Sequence, residues 1–299
     1  MALRENAVIY HFHDPELIPI AAILKTLGKR VIYDVHEDVP ADIRNKDWIP
    51  RPLRPVVSRV AALSIAVAAR WLDGIVTATP HIASLFRSHE PIVVQNFPMA
   101  EEALADSFRH EPGRLVYAGM LIEMRGAREM VRAMEIVGPL GARLTIVGTI
   151  TPSCLQSELE TMLGWRYIDF VGWQDRESLA RTVSMASVGL VLFHPGPNHL
   201  ESQPNKLFEY MLAGLAVVGS DFPHWRQFVE RTGAGLLVDP QDPNAIAEAI
   251  AWLLEHPAET EEMGKCGRRA VLDKYSWERE ADNLLSFYDR LSGLPSRTE

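Results

Sequence analysis

Short apolar runs of strand length alternate with helical patterns along the chain of 299 residues. Alternation of this kind predicts parallel sheets joined by crossover helices. In the first half the pattern predicts strands at Ala7–His11, Arg30–Val35, Gly74–Thr77 and Pro91–Val94. Between them it predicts a helix over Glu16–Leu27, a loop to Pro50, a helix of about twenty residues ending at Leu72, and a helix opening at Pro80. Residues Asn96–Gly113 are charged, carry two prolines and read as a linker. The alternation then restarts, with strands at Leu115–Ala118, Ala142–Val147, Tyr167–Val171, Val188–Phe193, Leu215–Gly219 and Gly235–Val238. Helices are predicted over Ala127–Val137, after Pro152, over Arg176–Met185, from Pro204 to a stop at Gly214, and over Asn244–Glu255, with two more closing the chain. The expected fold class is α/β: two doubly wound parallel-sheet domains across a cleft, with ligands at the carboxyl ends of the strands. The expected boundaries are 1–112, 113–275 and a closing segment, 276–299.

Composition narrows the partners. A hydrophobic content of 47% with 23% charged residues describes a soluble globular chain, and a formal charge of −9 argues against general nucleic-acid binding. Cys154 and Cys266 match no metal or redox spacing, which points to a reducing cytoplasm. Met1–Asn6 has no apolar core of signal-peptide length. The longest apolar run, Val60–Ala69 between Arg59 and Arg70, is too short to span a bilayer. With Arg51 and Arg54 it can be read as a basic amphipathic helix touching anionic lipid, peripheral at the inner face of the membrane. The plainer reading is a helix packed on a sheet with its arginines in solvent.

Chemistry concentrates in Glu201–Gly214. Lys206 falls in the first turn of a helix, where the dipole disfavours a cation. An anion held between the lysine and the free amides accounts for it, as for a phosphate; the bland alternative is a solvated lysine pairing with Glu209. Farther upstream, Gly119 ends a strand and Arg125 stands before a helix, again against the dipole preference. Gly119 allows close backbone approach, and a guanidinium can bind two oxygens of a diphosphate at once. In the first half, His11, His13 and Asp14 end one strand, and Asp34, His36 and Glu37 end the next. These groups invite a metal, but their spacing matches no common zinc pattern, and no metal is assigned.

The segment Glu201-x7-Glu209, set between a strand and a helix ending in Ala213-Gly214, resembles the retaining glycosyltransferases of family 4, which belong to glycosyl transferases group 1. The resemblance implies a GT-B fold of two Rossmann-like domains. It assigns Glu201 to the donor sugar and Glu209 to the ribose, with Asn205, Lys206 and Leu207 between them in the nucleotide-sugar site. The family's usual diphosphate signature is Gly-Arg, four residues, then Lys-Gly; this chain has Gly119-Met120 and Arg125-Gly126 instead. One cation is lost, and Lys206 is expected to supply the missing charge. The strand ends at His11–Leu17 and Asp34–Asp38 also resemble the family, which implies His36 at the reacting centre and His13 with Asp14 on the acceptor side. From the residues themselves, Asp14 reads as a helix cap before Pro15. Trp173, after a strand that resembles the base-binding segment, reads as ordinary packing.

The resemblance implies a hexosyltransferase that uses a UDP- or GDP-linked sugar as donor, a glycan or lipid-linked acceptor, and neither cofactor nor metal. The family's usual first strand and Gly-rich loop have no counterpart before Ala7, a difference on the order of 70–90 residues. The first domain is therefore expected to be incomplete: the chain is a fragment or starts from a late codon, or a partner subunit or second copy completes its sheet, or it is a degenerate scaffold. The rival readings are a non-catalytic GT-B-like subunit or fragment that binds a partner glycosyltransferase, and a nucleotide-sugar epimerase of the same fold.

Overall fold

The computed structural model describes residues 2–46, 48–102 and 110–293. Contacts divide the chain into two compact units, residues 1–96 with 277–299, and residues 97–276. The linker expected over Asn96–Gly113 lies partly outside the described residues, at 103–109; Phe97 already packs in the second unit's core.

The first unit contains β1 (Ile9–Phe12), α1 (Ile18–Thr26), β2 (Arg30–Val35), α2 (Val39–Asn45), α3 (Arg54–Ala69), β3 (Gly74–Thr77), α4 (Pro80–Leu85) and β4 (Ile92–Val93). Its four strands are parallel and lie in chain order, β1-β2-β3-β4. Alternation along β2 sends Val31, Tyr33 and Val35 toward α1, α3 and α4. Ile32 and Val76 face the other way, onto Phe287 of the closing helix, Trp277–Ser292. Gly74 makes that contact, since a Cβ there would stand 2.4 Å from Phe287 Cζ.

Two expectations change here. The loop to Pro50 holds α2, capped by Asp38, whose carboxylate accepts from the Ala41 N–H at 3.0 Å. Seven residues are too few for an apolar period to show, and the cap was the signal to read. Helix α3 is also shorter than expected, at 16 residues. Its Ile65, Ala68 and Ala69 are buried, yet much of its outward face is apolar as well.

The second unit contains β5 (Arg114–Ala118), α5 (Ala127–Val137), β6 (Arg143–Val147), α6 (Ser153–Thr161), β7 (Ile168–Gly172), α7 (Arg176–Met185), β8 (Val188–Val191), α8 (Pro197–Leu200), α9 (Asn205–Leu212), β9 (Ala216–Ser220), α10 (Pro223–Val229), β10 (Gly235–Val238), α11 (Pro243–Glu255) and α12 (Pro257–Lys274). The closing helix is α13. The short helices α8 and α10 fall within stretches the apolar pattern left unassigned. All six strands are parallel, in the order β10-β9-β8-β5-β6-β7. Leu115 and Tyr117 of β5 turn to a layer with α5 and α11, while Val116 turns to one with α9, α10 and α12. The chain leaves β5 toward β6 and β7, then returns on the other side to β8. That reversal is a topological switch point, where loops diverge and leave a crevice at the carboxyl ends of β5 and β8.

Candidate active site

The loops after β5 and β8 carry the expected donor residues. Strand β5 runs into Gly119, whose φ of 120° suits only glycine, and the loop continues through a 3-10 turn at Glu123–Arg125 into α5. Helix α9 follows β8 and is anchored onto the sheet by Tyr210. This fully buried hydroxyl accepts the Ala118 N–H at 2.7 Å. Gly189 makes room for its ring, as a Cβ there would lie 2.3 Å from Tyr210 Cδ2. Pro204 is the residue before the helix, so Lys206 stands in the first turn.

Lys206 turns inward. Its Nζ lies 3.8 Å from the centroid of the Tyr117 ring, a cation–π contact, and 3.3 Å from where a Cβ on Gly119 would be. The nitrogen is buried with no hydrogen-bond partner. The solvated lysine paired with Glu209 is therefore not what forms. Burial and then the nearby Arg125 charge pull the Lys206 ammonium down to about 7, and Glu209 opposes the fall. Crowding away from water raises the Glu209 carboxyl; Lys206 works against this and Glu102 adds to it. Arg125 lies 5.4 Å from the Phe193 ring centroid and donates from Nη1 to the Met120 carbonyl at 2.9 Å. Met120 occupies the position of the absent signature arginine, and its side chain is half exposed.

Gly119, Arg125, Lys206 and Glu209 thus share one crevice of the second unit. Asn205 opens α9 and is exposed, whereas Leu207 is fully buried and gives the crevice no side-chain atom. Glu201 is exposed at the end of α8, and the next residue is pinned where Trp225 Nε1–H donates to the Ser202 carbonyl at 2.8 Å. Trp173 is not packed: it is 78% exposed just beyond β7.

The first unit holds a separate cluster at the carboxyl ends of β1 and β2. The buried Asp34 Oδ2 lies 3.1 Å from His11 Nε2, 3.2 Å from His13 Nδ1 and 3.3 Å from His36 Nε2. His13 and His36 also share a hydrogen bond at 2.8 Å, and His11 Nδ1 shares one with the Tyr288 hydroxyl at 2.5 Å. Burial alone would raise the Asp34 carboxyl, but hydrogen bonds from His11 and His36 hold it far below the usual range. The Asp34 carboxylate in turn raises the His36 imidazole, with burial opposing. The donor atoms of His11, His13 and Asp34 lie within 4.8 Å of one another, close enough to hold a metal ion. Asp14 is exposed and its charge also acts on His36, and although it precedes a 3-10 turn its carboxylate makes no cap hydrogen bond. Asp34 was legible in principle, since period two puts it on the same side as His36. Nothing in the sequence marked Tyr117, Glu102 or Tyr288.

Comparison with known proteins gives the class. The family glycosyl transferases group 1 matches residues 112–256. The D-rhamnosyltransferase WbpZ of Pseudomonas aeruginosa is 24% identical over 284 residues, covering 89% of this chain and 68% of that protein. The D-inositol 3-phosphate glycosyltransferase of Corynebacterium urealyticum is 29% identical over 165 residues, 55% of this chain and 36% of its own. In fold, sucrose-phosphate synthase from Thermosynechococcus elongatus matches with a TM-score of 0.72 at 21% identity, covering 96% of this chain and 74% of that one. Anabaena HepE, solved with UDP and glucose, matches with a TM-score of 0.74 at 12% identity, covering 96% and 79%. Residues 112–256 match glycosyl transferases group 1, and the chain is a glycosyltransferase of GT-B architecture.

Proposed function

We propose that the chain moves a hexose from a UDP- or GDP-linked donor to a hydroxyl of a glycan or lipid-linked acceptor, as a retaining enzyme of family 4 that uses no metal for the transfer. The observation that carries this reading is Lys206, a buried ammonium without a partner at the switch point. A buried cation is costly until an anion joins it, and a diphosphate is the anion this crevice fits. When the sugar–phosphate bond breaks, its electrons pass to the phosphate oxygen, and negative charge grows beside Lys206 and Arg125. They stabilise the transition state more than the ground state. Lys206 restores the cation that Met120 removes.

Glu209 accepts from the ribose hydroxyls, and Glu201 faces the sugar as it becomes oxocarbenium-like. The departing phosphate takes the proton of the acceptor hydroxyl on the same face. Gly119 contributes by lacking a side chain, Asn205 frames the mouth of the crevice, and Leu207 anchors the turn that carries Lys206. In the first unit His36 acts at the reacting centre, and His13 and Asp14 serve the acceptor. A crystal structure of HepE with UDP and glucose supports the donor class.

Calorimetric titration with UDP and with GDP, in EDTA, tests the reading. One nucleotide should bind in the micromolar range, and Arg125→Ala, Lys206→Ala and Glu209→Ala should each weaken it by about tenfold or more. Absence of binding by either nucleotide defeats the proposal and favours the non-catalytic subunit. Binding that needs a divalent ion overturns its metal-free part.

A further inference from the structure

Helix α3 is apolar on both sides. Ile65, Ala68 and Ala69 bury one face in the first unit. On the opposite face Val56, Val60, Leu63 and Val67 recur at helical spacing, with exposures of 56%, 60%, 65% and 46%. Helix α1, packed on the same side of the sheet, repeats the pattern with Ile20, Ile23 and the adjoining Leu27, each at least half exposed. A shallow groove of about 370 Å³ lies between them, floored by Ile18, Leu63, Val67 and Trp71. Single exposed apolar residues need no explanation, but a continuous face on two neighbouring helices does.

Along the segment of α3 the charges are of one sign, while Glu16 is exposed just before α1. From Trp48 to Leu72 there are four arginines and no acid, in a chain whose net charge is −9. Arg54 is taken up by the Ile49 and Arg44 carbonyls. Arg51, Arg59 and Arg70 are exposed, and helical spacing puts Arg59 and Arg70 along one edge of the apolar stripe. Asp73, the next acid along the chain, is occupied by Lys25 at 2.7 Å and by the Val31 N–H. Trp48, in the segment leading into α3, is 78% exposed. Apolar stripe, arginine edge and exposed tryptophan are the parts of an interfacial helix, which sinks its apolar face to the level of the lipid headgroups and sets its cations on their phosphates.

We propose that the outer face of α3, with α1 beside it, docks the chain on an anionic lipid bilayer. A second copy fits less well, because a two-fold contact through this face would bring two arginine edges of α3 together. The face lies outside the donor crevice, so the proposal stands or falls independently of the nucleotide reading.

Co-sedimentation with large unilamellar vesicles tests it. The wild-type chain should bind vesicles of phosphatidylcholine with a third phosphatidylglycerol, bind pure phosphatidylcholine far less, and dissociate as salt rises. Arg59→Glu with Arg70→Glu should lower partitioning by on the order of fivefold per position, and Val60→Asp with Leu63→Asp should abolish it. These side chains are exposed, so circular dichroism should be unchanged. Equal binding by the variants, or no binding by the wild type, overturns the proposal. A concentration-dependent dimer in light scattering, lost in Val60→Asp with Leu63→Asp and without vesicle binding, assigns the face to a second copy instead.

Discussion

Lys206 is a cation buried in the crevice at the switch point, with no hydrogen-bond partner. Held near a pKa of about 7 in the free protein, it loses its proton over the range where the unfolded chain, at the ordinary lysine value, still keeps one. The unfolded state then binds more protons, so the free protein should gain stability as pH rises from about 7 toward the ordinary lysine pKa, and carry the full penalty below that window. Nucleotide binding runs the other way. A diphosphate restores the proton, so affinity should fall by up to about tenfold per pH unit above 7, with proton uptake visible in calorimetry across buffers of different ionisation enthalpy. Lys206→Met should remove the pH dependence and weaken binding while stabilising the free protein by on the order of 1–3 kcal/mol at pH 6, read from thermal unfolding. A destabilised variant counts against the buried, unpartnered lysine. The sequence displayed this residue's conflict with the helix dipole, and with it the anion. It did not display the absent partner, because Tyr117 and Gly119 reach Lys206 only through the pairing of β5 with β8.

Helix α9 is placed by one contact with no local signature, the Tyr210 ring over Gly189. Gly189→Ala should displace the ring, loosen the Tyr210–Ala118 hydrogen bond and tilt the turn that carries Lys206. The expected cost is about 1–3 kcal/mol of stability, with weaker nucleotide binding measured in the same titration; unchanged values for both would mean that the helix is held elsewhere. Among the elements, Arg30–Val35, Gly74–Thr77, Ala127–Val137, Arg176–Met185 and Gly235–Val238 lie where the apolar pattern predicts them. Each is either a parallel strand that reads as a continuous apolar run, or a helix long enough to show its period. Short α2, α8 and α10 escaped, since caps and prolines rather than periodicity define them. The double-sided apolar face of α3 was visible as a run, but only its neighbours decide which side is covered.

At the scale of the molecule the two units differ in how the chain builds them. The second is continuous from 97 to 276, whereas the first is closed by residues from the far end of the chain. Ending the chain at Ser276 removes Phe287, Leu284 and Leu291 from the face of Ile32 and Val76. In such a variant the amides of β2 and β3 should exchange with deuterium much faster, while nucleotide binding by the second unit persists; slow exchange in β2 and β3 would mean that α13 is dispensable to the first unit. The order of synthesis then differs from the order of completion. On the ribosome the first unit emerges before the second but waits, one sheet face bare, until α13 clears the exit tunnel. The second unit, begun later, can be finished before it. A chaperone that shields nascent chains therefore has its longest task at the sheet face of Ile32 and Val76.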